Sequence, residues 1–154
     1  MLHGNEIIYV IEERAAHRPP LVSGVGVRLP SHLTATGRAI LSAPPPQSRS
    51  ARYTPNHQAF TDRTGIGPKS PKELEATLAE TQRTGFAEEH GDVTPGFDSY
   101  AVAVRDYNDF PIAGLALTFV SGSLRPEQER SLKTKLRLAG TELSRRLGAV
   151  GSLT

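Results

Sequence analysis

His3, His17, His32, His57 and His90 are the side chains best placed to move a proton or hold a metal near neutral pH. No two of them stand at His-x-x-x-His spacing on a helix, so they make no zinc-type pair. Glu88-Glu89-His90 sets two carboxylates beside an imidazole, which reads as a solvated strand end rather than a metal site. Ser99 has His90, Asp92 and Asp98 near it in the chain, the residue types of a nucleophile with its base and orienting acid. Ser31, Ser42, Ser99 and Ser121 all lack the Gly-x-Ser-x-Gly elbow that exposes a nucleophile on a tight turn. A small hydrolase using Ser99 and His90 is therefore an alternative, while the leading expectation is that the chain is not an enzyme. Gly24-Val25-Gly26 and Gly65-Ile66-Gly67 lack a third glycine at dinucleotide spacing, and no Gly-Lys-Ser/Thr phosphate loop occurs. No cofactor and no metal are expected.

A helix opening at His32 to Thr36 carries different chemistry. Its first N–H groups have no intrahelical acceptor and its dipole ends positive, so it can seat a carboxylate. Ala35, Thr36 and Gly37 are small enough to let a ligand reach the backbone. The same small residues would serve tight packing of helix on sheet equally well.

Positioning these groups takes a definite set of elements. Glu6 to Glu13 reads as a strand on the run Ile7, Ile8, Tyr9, Val10 and Ile11, preceded by Gly4-Asn5 turn chemistry. Only three residues precede that turn, so the hairpin's first strand is expected to be missing. Leu21 to Leu29 reads as a bent second strand. A helix with Ser or Thr as N-cap then runs to Leu41 and stops at Pro44-Pro45-Pro46. A short helix is expected near Ser48 to Tyr53. Ser70-Pro71-Lys72-Glu73 is a capping box with proline at the first helical position, and Gly85 is the stop. A strand-like piece follows after Phe86, up to His90, and strands run over Phe97 to Asp106 and Ile112 to Ser121. The last helix, Pro126 to Leu147, carries Leu132, Leu136, Ala139, Leu143 and Leu147 on one stripe. The sum is α+β, one meandering antiparallel sheet with helices packed on it.

Composition sets the outer limits. The 154 residues suit a single domain over 1–154 with a disordered tail at 149–154, and 37% hydrophobic with 22% charged residues is ordinary for a globular protein. A net charge of +2 is too even to argue for nucleic-acid binding by itself. The chain has no cysteine, which fits the cytoplasm, and no apolar run of the roughly 18 residues that a membrane span requires. The N-terminus, Met1 to Glu6, lacks the pattern of a signal peptide.

Four blocks in fixed order resemble the IclR family of bacterial transcription regulators. Arg28-Leu29-Pro30-Ser31-His32-Leu33-Thr34-Ala35-Thr36-Gly37-Arg38-Ala39-Ile40-Leu41 is the first, and the Leu74 to Phe86 helix ending Arg83-Thr84-Gly85-Phe86 is the second. Pro95 to Asp106 is the third, and Ala113 to Ser121 with the helix ending Leu143-Ser144-Arg145-Arg146-Leu147-Gly148 is the fourth. The resemblance spans Ile7 to Gly148. It implies the family's C-terminal effector-binding domain, a GAF-like or profilin-like curved antiparallel sheet flanked by helices, without its opening helix and first strand. It further implies effectors that are small organic or aromatic acids, homo-oligomers (dimer or tetramer), no membrane, and DNA contact only through a missing N-terminal winged helix-turn-helix. Carried over residue by residue, the pocket would take Leu21, Ala35, Thr36, Phe97, Ser99, Ala116 and Thr118. The family's acidic pocket position falls on Ala87, Glu88 or Glu89, with Glu89 taken here. Alanine at 116, where some members have serine, leans toward a more apolar acid. Against this stands a pure dimerisation module with no ligand. If the hairpin partner of Glu6 to Glu13 is missing, that strand is an unpaired apolar edge, and it is expected at the subunit interface.

Overall fold

The computed structural model describes residues 1–17, 19, 21–44 and 60–150. The strands are β1 (Leu2–His3), β2 (Glu6–Ile8), β3 (Arg28–Pro30), β4 (Ala87–His90), β5 (Phe97–Arg105) and β6 (Pro111–Val120). The helices are α1 (Ala35–Ser42), α2 (Pro71–Thr84) and α3 (Pro126–Arg146). The α+β class holds, but the described strands form two antiparallel sheets, β1-β2-β3 and β4-β5-β6, where one was expected.

Side chains alternate across the second sheet and so divide its two faces between helices. Ala87, Ala101 and Ala116 make a thin layer that lets Ala35 and Ala39 of α1 lie close. Phe86, Tyr100 and Val102 point the other way and pack on Leu136 of α3. Leu74 and Leu78 of α2 close against Leu41 at the far end of α1. Ser70 caps α2 by accepting the Glu73 N–H at 3.3 Å, and Gly85 ends it in the left-handed region at φ 76°. Glu73 turns its carboxylate to the N–H of Lys69, at 2.9 Å, instead of that of Ser70.

Every residue of α1 is buried. Thr34 caps it, its hydroxyl oxygen accepting the Gly37 N–H at 3.0 Å. Gly37 is required, since a Cβ there would lie 2.1 Å from the carbonyl oxygen of Ser31. Arg38 is only 4% exposed, yet its donors are met. Its Nε donates to the His32 carbonyl at 2.8 Å, Nη1 to the Glu88 carbonyl at 2.7 Å, and Nη2 to the Asp92 carboxylate. His32 Nε2 donates to the Thr61 carbonyl at 3.0 Å. Its Nδ1 is the one buried side-chain nitrogen or oxygen without a partner among the described residues, and burial holds the imidazole below its ordinary pKa.

Several expectations need correction. The strand from Glu6 ends at Ile8, because the backbone then turns to meet the following connection, with the Gly26 N–H on the Tyr9 carbonyl at 2.8 Å. Val10 and Ile11 are 53% and 84% exposed. The hairpin's first strand is present as a two-residue piece, Leu2 opposite Ile7, while Ile7 also pairs with Leu29. β2 therefore lies between two strands, and the unpaired-edge argument for an interface there does not hold. The second strand shortens to Arg28–Pro30. On α3 the buried line is Leu136, Gly140 and Ser144, while Ala139, Leu143 and Leu147 of the expected stripe face outward. Close approach explains the rotation, since a Cβ on Gly140 would lie 2.5 Å from Val102 Cγ2. The helix expected near Ser48 to Tyr53 lies outside the described residues. So does 151–154 of the expected disordered tail, whereas the Ala149 N–H is fastened to the Ser144 carbonyl at 3.0 Å. No described helix is long and apolar enough to cross a membrane.

The Arg38–Asp92 pair gives a stability prediction. Asp92→Ala strands a buried guanidinium and should cost about 3–5 kcal/mol. A double variant, Arg38→Met with Asp92→Leu, should recover most of that loss, because it removes both charges together. Urea unfolding midpoints measure both.

Candidate functional site

A cavity of about 30 Å³ lies between the first turn of α1 and the paired strands β5 and β6. Antiparallel register builds one wall. Ser99 stands opposite Thr118 and their hydroxyls are 3.0 Å apart, while Phe97 and Ala116 flank them at period two. Ala35 and Thr36 supply the helix end, ahead of the hydrogen-bond ladder that begins with the Arg38 N–H on the Thr34 carbonyl. Glu89, opposite Ser99 in β4, supplies the third side. Leu21 covers the cavity from the long connection between β2 and β3. All eight residues singled out from the sequence thus line one space.

Tyr9, Ser23, Leu29, Thr34, Val93 and Thr94 also line it and were missed. Thr34 carried a signal, its N-cap role. Tyr9 was hidden because its apolar neighbours read as a continuing strand. Its hydroxyl bonds the Thr36 side chain, and burial raises its pKa.

Glu89 is the one acid in this wall. It is 3% exposed, and Oε1 accepts the Val93 N–H at 3.0 Å. Burial pushes its carboxyl above the ordinary carboxylate range, against the pull of the Val93 and Ser99 bonds. Strand parity separates it from Glu88, which points to the other face, where Lys133 Nζ lies 2.7 Å from its Oε1. Ala87 shares the face of Glu89 but lies two residues away along the strand, in the alanine layer under α1. Asp92 is committed to Arg38. The Glu88-Glu89-His90 run therefore does not converge.

The same parity removes the hydrolase alternative. Glu89 pairs with Ser99, so His90 pairs with Asp98 and its ring projects from the opposite face. There His90 Nε2 lies 3.2 Å from Glu88 Oε2, and Nδ1 lies 3.5 Å from Asp98 Oδ1. Among the described residues, Thr118 and Glu89 stand beside the Ser99 hydroxyl, neither of them the expected imidazole. A larger groove, about 860 Å³, opens at the other end of α1 between α2 and α3. Ala39, Ala87, Ala101 and Ala103 line it together with Arg105, Arg137 and Arg145, and it contains none of the eight residues taken for the site.

Comparison with known proteins shows the family and the fold. The family described as "Bacterial transcriptional regulator IclR C-terminal" matches residues 1–145. The HTH-type transcriptional regulator XynR of Escherichia coli K12 is 27% identical over 148 residues, 96% of this chain and 58% of that protein. The crystal structure of the Agobacterium tumefaciens repressor BlcR superposes with a TM-score of 0.80 at 29% identity, over 97% of this chain and 58% of that one. The inducer-binding domain of PobR from Acinetobacter, a double mutant in complex with 3-hydroxybenzoic acid, superposes at 0.76 with 19% identity, over 93% of this chain and 83% of that one. The chain thus spans somewhat over half the length of XynR and BlcR. The GAF-like architecture is that of these neighbours. With its sheet faces, its capped and buried α1 and a family match over nearly its whole length, the chain belongs to the IclR family as the C-terminal domain of such a regulator.

Proposed function

We propose that this domain senses a small organic or aromatic acid and passes its occupancy to a DNA-binding segment of the kind that IclR regulators carry. The carrying observation is the convergence of Leu21, Ala35, Thr36, Glu89, Phe97, Ser99, Ala116 and Thr118 on one cavity. The acid's carboxylate sits at the α1 N-terminus, near the N–H groups of Ala35 and Thr36, where helix dipole and free donors both favour negative charge. Its apolar body lies against Leu21, Phe97 and Ala116. The 3-hydroxybenzoic acid in complex with the PobR double mutant is an acid of this chemical type. The domain itself performs no catalysis, works in the cytoplasm, takes no cofactor and contacts DNA only through the other segment. Self-association as a dimer or tetramer belongs to the same proposal, without the Glu6 to Glu13 edge as its seat.

A space of about 30 Å³ holds one water and no aromatic acid. Binding therefore requires Tyr9, Leu21 and Ser23 to move outward as a group. They sit on the connection between β2 and β3, whose described residues between Ile8 and Arg28 form no strand or helix. The small volume also favours a second reading, a dimerisation module whose own side chains fill the cavity.

A thermal-shift panel of benzoate, hydroxybenzoates and short oxo and hydroxy acids separates the two readings. An acid at about 100 times its Kd should stabilise the domain by about 2.7 kcal/mol. Thr36→Val keeps the shape of the side chain and removes the hydroxyl that Tyr9 bonds, so it should weaken binding about tenfold. No shift with any acid means the packing module. Activated esters offered to the protein should hydrolyse at the buffer rate, and Ser99→Ala should leave that rate unchanged.

A further inference from the structure

We infer that Glu89 makes effector binding proton-coupled: the cavity accepts an organic acid as its carboxylate together with one proton, which rests on Glu89. The inference depends on the acid-sensing reading above and specifies the form in which the acid is bound.

The argument is one of charge in a closed space. The cavity has an anion seat at the α1 N-terminus and a buried carboxyl in its β4 wall, and among the described residues its lining includes no Lys, Arg or His. Two carboxylates so close together, away from water, cannot both keep their charge; one takes a proton or leaves. The guanidinium of Arg38, which bonds the β4 backbone beside Glu89, cannot help. Arg38 lies behind Glu89, and its guanidinium already serves Asp92 and the carbonyls of His32 and Glu88. At Glu89 the charges of Arg38 and Asp92 act in opposite senses.

Among the described residues, no other group facing Glu89 titrates in its place. Tyr9, from the connection after β2, stays neutral because burial raises its pKa, and it is placed to donate. Ser99 and Thr118 of β5 and β6 and Thr36 of α1 are uncharged. The lining residues of 93–97 and of the β2–β3 connection, Val93, Thr94, Phe97, Leu21 and Ser23, carry no charge. Glu12 acts on Tyr9 from outside the lining. Glu88 and His90 face the opposite side of the sheet with Lys133 and Asp98.

The sign follows from linkage. Desolvation already favours the protonated form of Glu89 in the free domain, and a bound carboxylate favours it further. Above the free-domain pKa, binding draws one proton from solvent, and affinity for the anion falls up to tenfold per pH unit. Below it, Glu89 already carries the proton and affinity levels off. An uncharged analogue brings no second charge and shows no such slope.

Calorimetric titration of the domain with 3-hydroxybenzoate, from pH 5.5 to 8.5 in buffers of different ionisation enthalpy, tests this. The expected result is uptake approaching one proton per site in the upper part of the range, with affinity falling as pH rises. 3-Hydroxybenzyl alcohol should show neither trend. Glu89→Gln mimics the protonated group and should bind 3-hydroxybenzoate without proton uptake, as tightly at pH 8.5 as at pH 5.5. Acid binding by the wild type with no uptake and no slope overturns the inference and leaves the sensing reading standing. A slope kept by a folded Glu89→Gln overturns it as well. No heat and no thermal shift at pH 5.5 with any acid overturns the sensing reading, and the inference with it. Benzylamine binding in place of acids would mean that Glu89 acts as a carboxylate, which is also contrary to it.

Discussion

A buried guanidinium holds this domain together. Arg38 sits in the middle of α1, and its three sets of donors reach the chain before the helix, the backbone of β4 and the carboxylate just after β4. A charge taken out of water is tolerated only when fully paired and hydrogen-bonded, so these partners have little freedom to shift independently. The pair fixes where α1 lies over the sheet and where β4 turns at Gly91 and Asp92. Both walls of the cavity, the first turn of α1 and Glu89 of β4, depend on that placement.

Small residues let the helix come close enough for the arrangement to work. Gly37 rests against the Ser31 carbonyl, and a Cβ on Gly114 would meet Thr36 Cγ2 at 2.8 Å. The layer of Ala35, Ala39, Ala87, Ala101 and Ala116 keeps the helix near the strands, and apolar contact then does the rest. Toward the N-terminus of α1 this layer gives way to Thr36, Ser99 and Thr118, and a small polar space opens. Tight packing and the small polar cavity are therefore two parts of one contact surface. The structure shows the packing that the sequence offered for these small residues, and beside it the cavity in which the ligand seat is proposed.

Much of the site was legible because strand periodicity is short and strict. Once Phe97 and Ser99 are on one strand, and Ala116 and Thr118 on its hairpin partner, each pair shares a face whatever else the chain does. The same rule, applied to Glu88-Glu89-His90, splits the run and places Ser99 and His90 on opposite faces. That outcome needed only the β4–β5 register, which depends on how the turn at Gly91 to Gly96 closes and is not written in residue types. Tyr9 was not legible. Its β-branched neighbours imply continued strand, whereas the backbone leaves the ladder at that point to pair with Gly26.

By itself the sequence determined the elements with strong local chemistry. Ser70 and Pro71 start α2 and Gly85 ends it, Thr34 caps α1, and the alternation in β5 and β6 makes a two-faced hairpin, because caps, turns and period-two patterns act over a few residues. Tertiary structure alone decided the rest. It gave α3 a buried line of Gly140 and Ser144 in place of Leu143 and Leu147, because the helix meets Val102 too closely for a larger side chain. It placed β2 between two strands, and it chose Glu89 over its acidic neighbours as the carboxyl in the cavity wall. Each of these depends on distances between segments far apart in the chain, and no local propensity contains such distances.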